Sequence, residues 1–357
     1  MNEEVIIKDK IGLVDIDTFI FQAAISAEEN YVRVSHKDID AIYEYPTKTS
    51  FYKCTKKDGE SGKLLELREE LGLDLKMEDF TIEQCSRLIR AEGDATPLMM
   101  AKGRFNDKMR IILEKDWCKG IIICYGRGEN FRYNLAQTHP YKNDRQPKPI
   151  LHAELTKWVL QKYKNKLFME DGVETDDIIV KHLYQDYSQA KGDVSKMKYV
   201  GVFFDKDIPA NTPFIMYNPN KDSEGLVVNT PLDAARRLCT QMITGDSVDT
   251  IKGLPDITEE LRLKYGMRKG KGAGDKAAEL LLEGASSINE CFSRVVEAYK
   301  AFYGSEATLV KGFRGNDLHW TWIDHMNEQY SLLRMRCNSE PVAYISKVLD
   351  KLGVAYE

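Results

Sequence analysis

The chain has 357 residues, 43% apolar and 30% charged, which is a soluble globular composition long enough for one large α/β domain with appendages or for two domains. No apolar run approaches the roughly 18 residues of a membrane span, and residues 1–10 are charged, so neither secretion nor membrane insertion is expected. The net charge of −5 averages over basic and acidic regions, and seven scattered cysteines without a CxxC pair exclude a disulfide framework or a zinc ribbon and fit a reducing cytoplasm.

Residues 11–23 (IGLVDIDTFIFQA) read as a buried strand, an acidic turn and the start of a helix. Residues 28–117 break that rhythm, polar and tyrosine- and lysine-rich at first, then helical in pattern over 80–115, and read as an insertion between the first two core strands. Within it Tyr43, Tyr45, Phe51 and Tyr52, interleaved with lysines such as Lys48, suit binding of a nucleic-acid single strand and equally suit cross-strand packing in a hairpin. Further buried strands fall at 120–124 and 198–204, with a helix at 174–187 between them. That alternation predicts a mostly parallel sheet covered on both faces. Helices follow at 230–244 and 275–282, and 286–357 reads as helical.

Four acidic groups fall where open α/β sheets place their sites, at strand ends and helix starts. They are Asp15 with Asp17; Glu174, Asp176 and Asp177; Asp205 with Asp207; and Asp246 with Asp249. Singly, each is explained by helix capping or a turn. Together at one sheet edge they would repel one another unless cations neutralise them, and a hard divalent ion with oxygen ligands is the natural remedy. Two such ions roughly 4 Å apart can promote phosphodiester hydrolysis.

Positive charge is concentrated elsewhere. Residues 142–166 carry seven Lys or Arg against two acids, and 262–276 carry six against one; each run is also what a solvated helix face looks like. Lys142 and Arg145 in HPYKNDRQPKP, with Arg132 upstream, offer an ammonium and guanidinia for a phosphate. Tyr141 suits stacking on a terminal base, or half-buried packing. The glycines Gly272 and Gly274, running into a helix that bears Lys276, expose backbone N–H groups of the kind that bind phosphate, and Lys252 precedes them in KGLP.

In this order VDID, NFR, PYKNDR, GVETDD, FFDKD, GDSVDTIKGLP and GAGDKAAELL resemble the 5′-3′ exonuclease and flap endonuclease superfamily with a PIN-like core, particularly its bacteriophage-encoded members. The resemblance covers about half the chain. It implies a PIN-like (resolvase-like) α/β fold with a mostly parallel sheet flanked by helices. The domains it suggests are a nuclease core over 1–229 with the insertion at about 28–117, a helix-three-turn-helix DNA-binding region over 230–285, and a C-terminal helical segment over 286–357 packed on the core. It also implies a Mg²⁺ (or Mn²⁺) dependent nuclease acting on DNA with a 5′ end, nick or flap, or on an RNA-DNA hybrid, as a monomer in the cytoplasm, that of the host if phage-encoded.

Carried over by position, Asp15, Glu174, Asp176 and Asp205 resemble ligands of a first ion and Asp177, Asp207, Asp246 and Asp249 those of a second. Lys142 and Arg145 match the basic pair that contacts the reacting phosphate, and Arg132 lies in the NFR motif upstream. Gly272, Gly274 and Lys276 match the duplex-gripping turn, which in the family also holds K⁺. Three departures stand out. Tyr125 occupies a position where many relatives have Asp, with Glu129 near enough in sequence to substitute through water. Residues 256–271 interrupt the usual GLPGIG junction. Only about thirty residues separate Arg145 from Glu174, too few for a threading arch, which favours exonuclease over flap cleavage. Two other readings stay open: a haloacid-dehalogenase-like phosphatase, because VDIDT approaches DxDxT, and a degenerate protein that only binds DNA ends.

Overall fold

The computed structural model describes residues 7–52, 63–90, 95–143, 147–268, 272–336 and 344–356. In chain order the strands are β1 (Lys10–Asp15), β2 (Glu28–His36), β3 (Ile39–Tyr45), β4 (Phe80–Leu88), β5 (Cys118–Arg127), β6 (Leu167–Asp171), β7 (Tyr199–Val202), β8 (Phe214–Tyr217), β9 (Leu226–Asn229), β10 (Thr308–Lys311) and β11 (Asp317–Trp320). The helices are α1 (Ile16–Ile25), α2 (Lys48–Tyr52), α3 (Lys63–Leu71), α4 (Pro97–Leu113), α5 (Arg132–Leu135), α6 (His152–Lys162), α7 (Thr175–Gln189), α8 (Pro231–Thr244), α9 (Glu259–Lys264), α10 (Asp275–Leu282), α11 (Ile288–Tyr303), α12 (Trp322–Leu333) and α13 (Ile345–Leu352). Among the described residues no helix is long and apolar enough to cross a membrane.

Two compact units divide the chain. The larger comprises Met1–Thr18, Lys108–Pro147 and Leu160–Glu357, and the smaller comprises Phe19–Asp107 and Lys148–Val159.

The larger unit is mixed α/β. Its six-stranded sheet runs β6-β5-β1-β7-β8-β9, parallel throughout except for β9. Strand β1 is central and buried on both faces, which explains its unbroken apolar run. Helix α7 lies over β5, β1 and β7, burying Ile178, Ile179, Val180 and Leu183 against Leu13, Cys124 and Phe214. A second apolar core gathers α8, α10, α11, α12 and α13 around Leu238, Leu281, Val295, Met326 and Leu349. Helices from 230–285 and from 286–357 thus share this core. The stretch 286–357 is also not wholly helical: β10 and β11 form an antiparallel hairpin ahead of α12.

In the smaller unit β3, β2 and β4 form an antiparallel sheet. Residues 80–88, expected to be helical, are the nine-residue strand β4, because Phe80 and Ile82 alternate onto the core built by Phe51, Leu64 and Leu67. Of the aromatic cluster expected to serve a single strand or a hairpin, Tyr43, Tyr45 and Phe51 pack in this core, with the rings of Tyr45 and Phe51 5.2 Å apart and those of Phe51 and Phe80 5.1 Å apart, while Tyr52 is exposed.

Candidate active site

Asp15 is the last residue of β1, and α1 starts at the next position with no intervening turn. Its carboxylate is 2% exposed; Oδ2 accepts the hydroxyl of Thr18, while Oδ1 is buried without a hydrogen-bond partner. Asp17, in the first turn of α1, accepts the hydroxyl of Thr175 at 2.7 Å, and Thr175 in turn accepts the backbone N–H of Gly126 at 3.0 Å. Only glycine fits at 126: a Cβ there would lie 2.3 Å from the carbonyl oxygen of Val173. This close approach of β5 to the start of α7 brings Glu174 and Asp176 to the carboxyl ends of the strands.

The loop after β7 contributes Asp205 and Asp207, with the Asp207 N–H donating to Asp205 Oδ1 at 2.7 Å. The loop after α8 contributes Asp246 and Asp249. It is a tight hairpin in which Asp246 and Ile251 exchange backbone hydrogen bonds of 2.7 and 2.8 Å. Its base is pinched by two glycines at positive φ, where a Cβ on Gly245 would stand 2.2 Å from Ile251 O and one on Gly253 would stand 2.3 Å from Gly245 N. The GDSVDTIKG sequence is thus required for geometry, and the geometry delivers its two acids.

These segments meet around one basin of about 420 Å³, lined by Glu174, Asp176, Asp205, Asp207, Asp246 and Asp249 together with Arg132, Tyr141, Lys142 and Lys206. Asp15 does not line the basin, but its charge is felt by Asp176. Burial, then Asp17 and, more weakly, Asp205, push the Asp15 carboxyl up to about 7. Burial, then Asp15 and Asp205, raise Asp176 well above the carboxylate range. Burial, with Asp205 and Asp246, pushes Asp207 up to about 8, and burial also raises Asp249. Among the described residues, the basin gathers more carboxylates than Arg132, Lys142 and Lys206 pair with.

Those cations are specific. Lys142 holds a positive φ of 55°, kept by its N–H to the carbonyl of Asp249 at 3.0 Å, and its ammonium pairs with Glu174 and stands 3.4 Å from Asp249 Oδ2. Burial works to raise Glu174, but Lys142 and Arg132 outweigh it and hold Glu174 below its ordinary value. Lys206 reaches Asp246 Oδ2 at 3.2 Å.

Three residues stand in positions other than those expected. Arg132 is not a phosphate contact in waiting. Its guanidinium is 2% exposed, pairs with Asp177 through two bonds of 2.8 Å, and donates to the carbonyls of Leu332 and Arg334 at 2.9 and 3.1 Å. Asp177 is correspondingly consumed. Beyond Arg132 it accepts the N–H of Glu174 at 3.0 Å and of Arg336 at 2.9 Å, so its helix-start role is structural and it offers no oxygen to an ion. Tyr141 is 4% exposed and shares its phenol hydrogen between Glu174 Oε2 at 3.0 Å and Asp249 Oδ2 at 2.9 Å. A ring buried in this way orients carboxylates and presents no face to a base.

Of the remaining expected residues, Arg145 lies outside the described residues. Tyr125 ends up beside Asp17, and burial followed by Asp17 raises its phenol pKa. Glu129 is exposed and does not line the basin. Lys252 is exposed on the hairpin after α8. Gly272, at φ +72°, and Gly274, the residue before α10, line a separate open groove of about 730 Å³ with Arg268 and Lys276, and Lys276 pairs with Glu279 at 2.8 Å.

Reading the sequence missed the part played by α12. Gln329 accepts the N–H of Gly253 at 3.0 Å, fixing the acidic hairpin. Buried Glu328 accepts the N–H groups of Gln137 and Thr138 at 2.6 and 2.8 Å, fixing the segment that leads into Tyr141 and Lys142. Nothing local in the sequence marks either residue as more than a polar helix position.

The donor set has the chemistry of a hard divalent cation site: carboxylate oxygens only, several held above their ordinary pKa, and a buried oxygen of Asp15 lacking any partner. Among the described residues, no group of three or more His, Cys, Asp and Glu is arranged so as to hold a metal ion as it stands. The carboxylates spread around the basin instead of closing on a point, as like charges do.

No family model matches the chain, and no curated protein matches it. Among solved structures the chain is similar to the D15 protein of bacteriophage T5 co-crystallised with metal ions, with 14% identity, a TM-score of 0.31, and coverage of 56% of this chain and 86% of that one. It is also similar to the bacteriophage T5 D15 flap endonuclease in a pseudo-enzyme-product complex with DNA and metal ions, with 12% identity, a TM-score of 0.32, and coverage of 65% and 90%. Likeness at this level assigns neither family nor activity, for which the site itself must supply the argument.

Proposed function

We propose that the chain is a divalent-cation-dependent nuclease that hydrolyses DNA phosphodiesters from or near a 5′ end. The observation that carries this reading is the meeting of six carboxylates from three loops and helix starts around one basin, electrostatically coupled to a seventh at the end of β1, with Lys142 in their midst. Such a site is hostile to an anionic substrate until cations enter it. Asp15, Glu174, Asp176 and Asp205 would hold one Mg²⁺ or Mn²⁺, and Asp207, Asp246 and Asp249 a second. Bound there, such ions supply positive charge for the phosphate and for the leaving oxygen.

The protein's own contribution is positioning and charge. Tyr141 locks Glu174 to Asp249, so two walls of the basin move as one. Lys142, whose ammonium stands between Glu174 and Asp249, would offer a positive charge to a phosphate oxygen and so offset the charge that builds in the transition state. The groove at Gly272, Gly274 and Lys276 would take the duplex backbone beyond the cleavage point.

A phosphatase acting through Asp15 as nucleophile is disfavoured, because that carboxylate is buried and one oxygen already accepts from Thr18. A binder of DNA ends without hydrolysis has one point in its favour: Lys142 and Lys206 already neutralise Glu174 and Asp246. A panel of 5′-labelled nicked, blunt, flapped and hybrid substrates separates the readings. Mg²⁺-dependent release of 5′ products, abolished by chelator, is expected. Binding without cleavage, or hydrolysis of small phosphomonoesters alone, would overturn the proposal.

A further inference from the structure

The stretch 256–271, which interrupts the resemblance, contains a residue whose environment the nuclease reading does not use. Arg262, on α9, is 8% exposed. Its Nε donates to the carbonyl of Ile257 at 2.9 Å and its Nη1 to that of Arg268 at 3.2 Å. Its Nη2 reaches Asp256 and the carbonyl of Gly272 at 3.5 Å. One guanidinium therefore gathers backbone oxygens from both sides of α9, together with a carboxylate.

Carbonyl oxygens converge on a single point only when something positive sits there, since each carries a partial negative charge and none can donate to another. A planar guanidinium with five donors answers several oxygens at once, which a lysine cannot do in this geometry. Two of the oxygens it holds belong to residues that line the groove, Arg268 and Gly272, and Gly274 and Lys276 at the start of α10 line it as well.

We infer that Arg262 is the positioning residue of this groove, a built-in cation that sets Arg268, Gly272 and the first turn of α10 in register to receive successive phosphates of duplex DNA. This rests on the DNA-binding part of the proposed function. The chain thereby supplies from its own sequence the positive centre of the turn, and duplex binding by the intact protein is indifferent to the identity of the monovalent salt.

The test uses the full chain in three forms: wild type, Arg262→Lys and Arg262→Ala. Duplex affinity is measured by fluorescence anisotropy in chelator, at constant ionic strength, in K⁺ and in Na⁺, with and without millimolar guanidinium. Wild type should bind equally in both salts. R262A should lose about tenfold or more in affinity and recover part of it with guanidinium, whereas R262K should recover less than half of the loss. Hydrogen exchange of the amides of residues 274–278, read without DNA, should speed up in R262A and slow again with guanidinium. Unchanged affinity and exchange in R262A, or losses that guanidinium leaves untouched, would overturn the inference. Absence of duplex binding by wild type would instead count against the proposed function, leaving the exchange experiment to judge Arg262.

Discussion

Arg132 and Asp177 are joined by two parallel N–H···O bonds of 2.8 Å, with both side chains 2% exposed. The pair ties the segment entering the basin to the start of α7, and the C-terminal carbonyls of Leu332 and Arg334 complete its coordination. Removing one partner of such a pair strands a buried charge, at a cost of about 3–5 kcal/mol. Arg132→Met is therefore expected to lower the melting temperature by more than about 5 °C. A variant of wild-type stability that had lost only cleavage would return Arg132 to the phosphate.

Tyr141 offers a clean separation of two roles. If its hydroxyl locks Glu174 to Asp249, Tyr141→Phe should reduce the cleavage rate about ten- to a hundredfold while leaving DNA affinity within about twofold, as misplacement of reacting groups does. A ring that stacked on a base would behave oppositely, tolerating Phe and failing as Ala. Single-turnover rates for the two variants decide.

The buried acids make stability depend on pH. From an ordinary value of 3.8, Asp15 is raised to about 7 and Asp207 to about 8, mainly by burial. Between 3.8 and those values the folded chain binds more protons than the unfolded one, so stability falls as pH rises, and the loss runs through about pH 7 and 8 and is complete roughly a unit higher. In chelator the melting temperature should be several degrees lower at pH 8.5 than at pH 5.5. Asp15→Asn should flatten the slope, and saturating Mg²⁺ should remove most of it. A flat profile in chelator would mean these carboxylates are hydrated and ordinary.

What could be read from the sequence follows from how local the determinants are. Strand β1, the helix α7 and the start of α10 are visible because apolar runs and caps lie within a few residues of one another. Strand β4 carries no clear strand period, because only Phe80 and Ile82 of its nine residues pack on the small core, and β8 through β11 are four residues each, too short for a period to show. The acids of the basin were identifiable as pairs at element ends. Their division of labour was not. That Asp177 serves Arg132, or that Tyr141 bridges to a carboxylate 108 positions away, depends on long-range placement. The clamp by Glu328 and Gln329 of α12 is of the same kind.

Replacing Asp205 and Asp207 together by Asn removes two carboxylates without disturbing the sheet, since both stand on the loop after β7. Cleavage of a 5′-labelled duplex should fall by more than about a thousandfold, with duplex binding retained within about threefold. Persisting cleavage would place the chemistry elsewhere.

A nuclease site of this kind must take up divalent cations, and Mn²⁺ binding followed by electron paramagnetic resonance reads this directly. Titration of the chelator-stripped protein should show saturable loss of the free Mn²⁺ signal, weakened at least about tenfold in D205N/D207N and competed by Mg²⁺. A free Mn²⁺ signal that tracks the added metal identically in wild type and variant would contradict it.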